Sequence, residues 1–395
     1  MDSLRTEVAV AGLGAMGAAT LYQLARRGIA AIGIDRFVPP HAMGSSHGET
    51  RITRCAVGEG DDYVPLVRRS HAIWRELEHE TGDTLLNACG LLMMAPRGVQ
   101  TGHHGKIDFL NRTIGVARRH GIAHEVLDAD GIARRFPAFC VQGNEEGYLE
   151  PGGGFVHPER CIAAQLRRAG ELGATILTGR KIETIERQAG SVLIQTDAGP
   201  ILADRIVVAA GAWSGKLLGG PFGVTLVPYR QVLHWFPVDD PAAFHPDSCP
   251  AYIWMHGTRP EDYLYGFPAL QGASEVKVAT EQYGAACDPD TVDRTVPDSE
   301  RLAMYAAHVA GRLRGVRPEP GRSMACLYTV TPDSGFVIDR HSDSDRIIVV
   351  SACSGHGFKH SAGIGEAVAQ MVCDGRSEID LQPFRLARLR IGQAT

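Results

Sequence analysis

The sequence lacks the marks of several protein classes, and these absences narrow its function. It has no excess of basic residues, because 40 Lys and Arg are outweighed by 45 Asp and Glu. A formal net charge of -5 gives no electrostatic reason to expect a nucleic acid or an anionic membrane as a partner. The chain also has no low-complexity tract and no internal repeat, and its ordinary hydrophobic content argues against intrinsic disorder.

Cysteines are present, but they form neither a metal-binding nor a disulfide pattern. The chain has nine, an odd number, with no Cys-x-x-Cys pair and no cysteine and histidine cluster at zinc-site spacing. We therefore expect no metal, and a reducing compartment in which most of these thiols are small buried side chains.

No segment has the length and apolar character of a membrane span. The apolar stretch Val8 to Ala25 is interrupted by three glycines and several polar residues, and two arginines follow it. Neither a leader nor a peroxisomal signal is apparent, so we expect a soluble cytoplasmic protein.

Secondary-structure signals change along the chain. Strand-then-helix patterns occur at both ends and in the middle, with helices expected at Tyr63 to Thr81 and Phe358 to Cys373. Tyr263 to Pro268 and Glu275 to Thr280 alternate like antiparallel strands. Turn-forming residues dominate 236–262 and 284–300, which predicts loops there.

These signals predict a mixed α/β fold with two domains. A chain of 395 residues exceeds the size at which a single core stops growing. We expect a Rossmann-like cofactor domain that is discontinuous, with an antiparallel-sheet substrate domain inserted into it. The predicted cofactor domain comprises 1–85, 150–225 and 322–395, and the predicted substrate domain comprises 86–149 and 226–321.

A glycine-rich turn carries the first chemical signal. Gly12, Gly14 and Gly17 follow a short apolar strand and open a helix, and Asp35 ends the next apolar strand. The glycines permit a tight turn, close approach of a pyrophosphate and close packing of helix on strand, and the acid suits ribose hydroxyls. This arrangement indicates a dinucleotide site rather than a chance turn, although spacing alone does not separate FAD from NAD.

Three other segments carry polar groups suited to a cofactor or a substrate. Arg51 and Arg54 are three apart and are expected on one helical face, where they suit a carboxylate or a flavin edge; the alternative is a solvated basic turn. Segment 354–359, Ser-Gly-His-Gly-Phe-Lys, predicts an anion-binding turn at the start of a helix, or else a plain turn with a surface lysine. Cys326, taken alone, is expected to be a buried core thiol.

Together these segments resemble the monomeric sarcosine oxidase and N-methyltryptophan oxidase family of flavoproteins. The resemblance covers almost the whole chain and is most specific around Cys326 and in the segment 354–359. The matching segments are Gly12 to Gly17, Pro39 to His41, Ser46 to Arg51, Gly58 to Gly60, Tyr63 to Leu66, Tyr229 to Gln231, Tyr265 to Pro268, Cys326 to Tyr328 and Ser354 to Lys359.

The resemblance implies an FAD-dependent oxidase of N-methyl or other secondary amino acids. In such an enzyme a hydride passes from the carbon next to nitrogen to flavin N5, dioxygen becomes hydrogen peroxide, and N-methyl substrates release formaldehyde. It implies FAD joined covalently to Cys326. It further implies a small secondary amine with a carboxylate and dioxygen as the partners, and a monomer.

The resemblance also assigns roles to individual residues. Arg54 and Lys359 match a pair that clamps the substrate carboxylate, and Lys277 matches a lysine that assists oxygen reduction, with Arg51 close to the flavin. Tyr265, Tyr328 and His356 match residues that line the substrate cavity, with core aromatics and a structural histidine as the alternative. The expected cofactor contacts are Gly12, Gly14, Ala15, Met16, Gly17, Asp35, Arg36, Ser46, His47, Arg51, Gly211, Cys326, Gly355, Gly357 and Lys359.

The chain departs from the family pattern at two places that bear on substrate choice. Glu281 stands where the family often has histidine, and Val57 lies in a segment that usually carries an aromatic residue. These departures favour a larger or more cationic substrate than sarcosine. The alternatives are an oxidase of another secondary amine, such as a fructosyl amino acid or a cyclic imino acid, and a flavin-binding protein without turnover.

Overall fold

A computed structural model describes residues 4–389; the first three and last six residues of the predicted cofactor domain lie outside the described residues. The strands are β1 (Leu4–Ala11), β2 (Ala31–Asp35), β3 (Arg51–Thr53), β4 (Leu86–Asn87), β5 (Leu91–Pro96), β6 (Gly102–His103), β7 (Lys106–Ile107), β8 (Glu125–Asp128), β9 (Glu145–Glu150), β10 (Gly154–Val156), β11 (Thr175–Thr178), β12 (Ile182–Gln188), β13 (Ser191–Thr196), β14 (Gly199–Val208), β15 (Val227–Pro237), β16 (Ala251–Met255), β17 (Tyr263–Gly266), β18 (Glu275–Ala279), β19 (Arg322–Val330), β20 (Val337–His341) and β21 (Ser344–Ser351). The helices are α1 (Ala15–Arg26), α2 (Tyr63–Thr81), α3 (Phe109–Arg119), α4 (Ala129–Arg135), α5 (Pro158–Glu171), α6 (Ser214–Leu218), α7 (Gly220–Thr225), α8 (Asp298–Met304) and α9 (Ser361–Asp374). Within 4–389, no helix combines the length and apolar character needed to cross a membrane.

The first large sheet holds the glycine-rich turn. Its parallel core runs β11-β2-β1-β14, and β21 joins the C-terminal half of β14 in parallel. Along the N-terminal half of β14, the same edge pairs instead with β13 of an antiparallel hairpin. Successive side chains of β1 enter opposite cores, because Val8 and Val10 pack towards α1, α5 and α9 while Ala9 and Ala11 face the other side.

The second large sheet is almost entirely antiparallel. Its order is β19-β15-β18-β17-β16-β5-β9-β8, with β16 and β5 as the one parallel pair among these neighbours. Both faces are covered by apolar residues, which form two separate cores. The expected antiparallel pairing of the strands near residues 263 and 275 is confirmed, since Tyr265 on β17 lies opposite Ala279 on β18.

Most of the predicted helices, strands and loops are confirmed. The helix expected at Tyr63 to Thr81 has those bounds, and β12 and β13 form an antiparallel hairpin. The loop expected over 236–262 is wrong for Ala251–Met255, which is a fully buried strand. Prolines, aspartates and histidines on both sides of this short run dominated the composition of the segment. The mixed α/β fold class is confirmed, and the domain boundaries stay a prediction.

The crossing of α1 and α9 ties the two ends of the chain together. Both helices pack on the same face of the first sheet and contact each other over much of their length. Gly365 makes this approach possible, because a Cβ built there would lie 2.5 Å from both the carbonyl carbon and the Cβ of Ala19. The helix that follows the glycine-rich turn is therefore positioned by the last long helix of the chain.

Gly365→Ala should lower stability, because neither backbone nor a short side chain of α1 can move away from the added methyl group. We expect a loss of about 1–3 kcal/mol, as for other overpacked cores. Gly170→Ala in α5 is the matched control, because its Cβ would meet only Ile176 at 3.9 Å. The control should be neutral or stabilising by at most about 1 kcal/mol. Equal thermal midpoints for the two variants would contradict the packing argument.

Candidate active site

The glycine-rich turn is held by a buried carboxylate. The backbone N–H of Leu13 donates to Asp35 Oδ2 at 2.7 Å, and that of Phe37 donates to Oδ1 at 2.8 Å. Gly12 has a φ of 87°, and a Cβ on Gly17 would overlap the carbonyl oxygen of Gly12. The turn between β1 and α1 therefore requires glycine at both positions.

A cavity of about 470 Å³ opens in front of this turn. Most residues expected to contact a cofactor line it: Gly12, Gly14, Ala15, Met16, Asp35, Arg36, Ser46, Arg51, Gly211, Gly355 and Gly357. Four expected contacts, Gly17, His47, Cys326 and Lys359, are not among the lining residues. Gly17 lies beneath the turn, and His47 is buried with its Nδ1 3.0 Å from Met324 Sδ.

The residues around this cavity suit a dinucleotide. At Gly14 a Cβ would meet only Ser46 Oγ at 3.8 Å, so the backbone is open to close approach. The first turn of α1 has no acidic residue, and within 4–389 the only side chain that accepts from it is Ser46, whose Oγ lies 3.4 Å from the Ala15 nitrogen. Its other N–H groups and its positive dipole face the cavity. Asp35 lies at the other side, where its oxygens suit ribose hydroxyls.

A second, much smaller cavity of about 50 Å³ adjoins the first. Arg51, Tyr328, Gly355 and Phe358 line both cavities and form their common wall. The second cavity is also lined by the other residues expected at a substrate site: Arg54, Tyr265, His356 and Lys359. Four segments far apart in sequence thus meet at one place.

Arg51 and Arg54 do not share a helical face, so that expectation is wrong. Arg51 begins the short strand β3, and Arg54 follows its end. Arg51 donates to the carbonyl oxygens of Ser45 and Thr50, both at 2.8 Å. Pairing of β3 with β10 fixes Arg51 in extended backbone, because three strand residues leave no room for a helical turn.

A chain of buried charges surrounds the second cavity. Arg54 Nη2 lies 3.2 Å from Glu59 Oε2, His104 Nδ1 lies 3.0 Å from Glu59 Oε1, and His104 Nε2 lies 3.1 Å from Glu281 Oε2. Burial lowers the pKa of His104, but the Glu281 and Glu59 carboxylates outweigh it and raise the pKa to about 9. Burial raises the pKa of Glu281, yet His104 and His103 hold it at about 2. The imidazolium is therefore shared by two carboxylates.

Lys359 is buried at the start of the last helical segment. Its Nζ donates to the carbonyl oxygen of His356 at 2.7 Å. Burial lowers its pKa to about 7, against the opposing effect of the Glu59 carboxylate. His356 Nε2 lies 2.9 Å from the Ser334 carbonyl oxygen, while its Nδ1 faces Glu59 at 3.7 Å without a hydrogen bond to any described residue.

Lys277 lies behind the common wall rather than in either cavity. Its Nζ donates to the carbonyl oxygens of Gly48 and Thr50, both at 2.6 Å, and lies 4.2 Å from the centre of the Phe267 ring. Burial, reinforced by the nearby Arg51, brings its pKa well below the usual value. The segment that Lys277 holds is the one that carries Arg51.

Two thiols lie near the common wall. Cys326 is fully buried, with its Sγ 3.6 Å from Arg51 Nη2 and 3.7 Å from the Ser45 carbonyl oxygen. Burial raises its pKa, and Arg51 opposes the rise. Cys353 lines the first cavity directly. All nine cysteines are free thiols in the structure.

Sequence reasoning missed several residues of the second cavity. His103 and His104 lie at a hairpin, β6-β7, whose two-residue turn has positive φ at His104 and Gly105. Ile253 on β16 lies opposite Tyr265 on β17, and Tyr263 on β17 lies opposite Met255 on β16. The hairpin signal, a glycine after two histidines, was present but too short to stand out. Glu281 lines the cavity as expected, whereas Val57 is buried away from it.

Comparisons with known proteins agree on one family. The sequence profile of a family described as FAD dependent oxidoreductase matches residues 7–371. Monomeric sarcosine oxidase from Bacillus sp. (strain B-0618) is 35% identical over 390 residues, 98% of this chain and 97% of its own. N-methyl-L-tryptophan oxidase from Yersinia pestis (strain Pestoides F) is 33% identical over 388 residues, 97% of this chain and 99% of its own.

Solved structures show the same fold at lower identity. NikD, an amino acid oxidase of nikkomycin biosynthesis, superposes with a TM-score of 0.84 at 22% identity, covering 97% of this chain and 98% of its own. Fructosamine oxidase from Aspergillus fumigatus superposes with a TM-score of 0.75 at 20% identity, covering 98% of this chain and 90% of its own.

Binding of a simple carboxylate such as acetate should weaken as pH rises from 6 to 8.5. Lys359 loses its charge through a pKa of about 7, and a bound carboxylate raises that pKa, so binding takes up a proton near neutral pH. Losing one charged hydrogen bond should weaken binding by roughly tenfold. Calorimetry in buffers of different ionisation enthalpy measures both effects. Lys359→Met should show weak, pH-independent affinity; a flat wild-type profile would contradict the role of Lys359.

Proposed function

We infer the function from the family as its premise: the chain belongs to the FAD-dependent oxidoreductase family, with monomeric sarcosine oxidase and N-methyl-L-tryptophan oxidase among its relatives, and it is a flavin-dependent amine oxidase. We propose that its substrate is an N-methyl or other secondary amino acid, held by its carboxylate in the second cavity. The observation that carries this proposal is the common wall of Arg51, Tyr328, Gly355 and Phe358, which brings that cavity against the dinucleotide cavity.

The charges around the second cavity select the form of the substrate. Arg54 and Lys359 supply cationic donors that attract a carboxylate and fix its orientation. Arg51, Arg54 and the His104 imidazolium outnumber the Glu59 and Glu281 carboxylates. This surplus of buried positive charge disfavours a protonated amine beside it, so the substrate nitrogen is held in its neutral, reactive form.

Bound FAD supplies the redox chemistry, accepting a hydride from the carbon next to nitrogen and passing the electrons to dioxygen. The residues that line the first cavity would hold its dinucleotide, and Arg51 would face its ring system. Arg51 places positive charge at this wall, where it stabilises negative charge as dioxygen is reduced, and Lys277 lies behind it. Lys277 also positions Arg51 by holding both Gly48 and Thr50.

The size of the second cavity argues against the bulkier alternatives. About 50 Å³ holds only a few water-sized groups, which suits a compact amino acid better than a fructosyl amino acid. The positive charge of this cavity that Glu59 and Glu281 do not balance also argues against a flavin-binding protein without turnover, because an unpaired buried cation costs stability that binding an anion offsets.

The holoprotein should therefore form hydrogen peroxide from sarcosine or a close N-methyl homologue. Peroxide and formaldehyde, measured in the same reaction, should appear in equal amounts. Arg54→Met should raise KM for the carboxylate substrate by at least about tenfold, because it removes a charge-assisted hydrogen bond. Absence of peroxide with every secondary amino acid tested would contradict the proposed function.

We also propose that Cys326 carries the FAD covalently. Its Sγ lies beside Arg51, at the wall where the ring system would lie. Acid-precipitated wild-type protein should retain its yellow colour, and Cys326→Ser should release it into the supernatant. Cys353→Ser is the matched control, because Cys353 is the thiol that lines the first cavity directly. Release by Cys353→Ser and not by Cys326→Ser would move the attachment to the other thiol.

A further inference from the structure

One wall of the second cavity carries polar side chains that the proposed carboxylate binding does not involve. His103, His104 and Tyr263 line the side formed by the β6-β7 hairpin and β17. The rings of His103 and Tyr263 stack at 4.3 Å, and those of His103 and His104 lie 3.7 Å apart. This face is separate from the Arg54 and Lys359 donors that hold the carboxylate.

His103 is buried without satisfying its ring nitrogens. Its side chain is only 6% exposed, and within residues 4–389 its ring makes no hydrogen bond; the nearest carboxylate, Glu281, is 3.9 Å from Nδ1. Burial lowers the pKa of His103 to about 3, so the ring is neutral and has one donor and one acceptor nitrogen. Neither ring nitrogen is among the fully buried unpaired atoms of the described residues, so the His103 nitrogens border the second cavity, where a group of the substrate can pair with them.

Of the other polar groups at this face, His104 and Glu281 already have hydrogen-bond partners within the protein. His104 has both nitrogens engaged by Glu59 and Glu281, and Glu281 accepts from His104 and from the Tyr283 hydroxyl at 2.8 Å. Glu281 is therefore already neutralised, which removes the basis for expecting a cationic substrate. The Tyr263 hydroxyl, like the His103 ring, makes no hydrogen bond with a residue that the structure describes.

We propose that His103 and Tyr263 form a polar subsite that binds a hydroxyl or similar neutral hydrogen-bonding group at the end of a short substituent of the substrate. The proposal rests on the proposed function and adds to it a class of substrate. The small cavity limits the substituent to a few atoms, and the neutral imidazole and the phenol together offer both donors and an acceptor. The substituent lies on the α-carbon or on the nitrogen.

The test uses pairs of substrates that differ only in exchanging a hydroxyl for a methyl group. N-methylserine is paired with N-methyl-2-aminobutyrate, and N-(2-hydroxyethyl)glycine with N-propylglycine. For at least one pair, holoenzyme kcat/KM should favour the hydroxyl compound by about tenfold or more, since an apolar analogue leaves the buried donor unpaired. Ratios near one for both pairs would overturn the subsite.

Variants separate hydrogen bonding from packing. His103→Phe keeps a ring stacked on Tyr263 and removes both nitrogens, so the ratio of kcat/KM for the hydroxyl compound to that for its methyl partner should fall to near one. His103→Gln restores a donor and an acceptor and should recover part of the preference. Tyr263→Phe should reduce it as well. An unchanged ratio in His103→Phe would overturn the role of His103.

The same experiment keeps the two proposals apart. If sarcosine and both pairs give no peroxide, the proposed function fails. If sarcosine is oxidised but the hydroxyl compounds have no advantage, the proposed function stands and the polar subsite fails. Calorimetric titration of the wild type and His103→Phe with lactate and propionate gives a measure without turnover, and in the wild type lactate should bind more tightly.

Discussion

Buried charge that must remain paired is the constraint around which the active-site end of this molecule is arranged. The His104 imidazolium lies between Glu59 and Glu281, and Glu59 in turn contacts Arg54. These residues come from the segment after β3, the β6-β7 hairpin and the segment after β18. Removing any one leaves an uncompensated charge without water, so the three segments hold their positions together.

The features that could be predicted from the sequence are those with short-range causes. The glycine-rich turn needs only a strand, three glycines and a helix within a few residues, and β1, α1 and β2 lie where that pattern predicts. Helix α2 could be predicted equally well, because its apolar residues recur with the period of a helix and Gly82 ends it. The family resemblance then supplied the pairing of Arg54 with Lys359, which no local pattern contains.

The features that could not be predicted depend on contacts between distant segments. Arg51 and Arg54 have a helical spacing, but pairing with β10 imposes strand geometry on the first of them. His103 is at the site only because its hairpin packs against Tyr263, about 160 residues later by the numbering of the chain. The burial that shifts the pKa values of Lys359 and His104 also results from contacts between distant segments, and the amino-acid composition does not indicate it.

The packing of α1 against α9 also sets the order of events during synthesis. The helix beside the glycine-rich turn leaves the ribosome more than 300 residues before its partner helix, which ends at Asp374. Strand β1 likewise pairs with β14, and β14 with β21, both of which are translated later. The nucleotide cavity can therefore be completed only after α9 has been translated, and the N-terminal segment that carries the glycine-rich turn cannot form it alone.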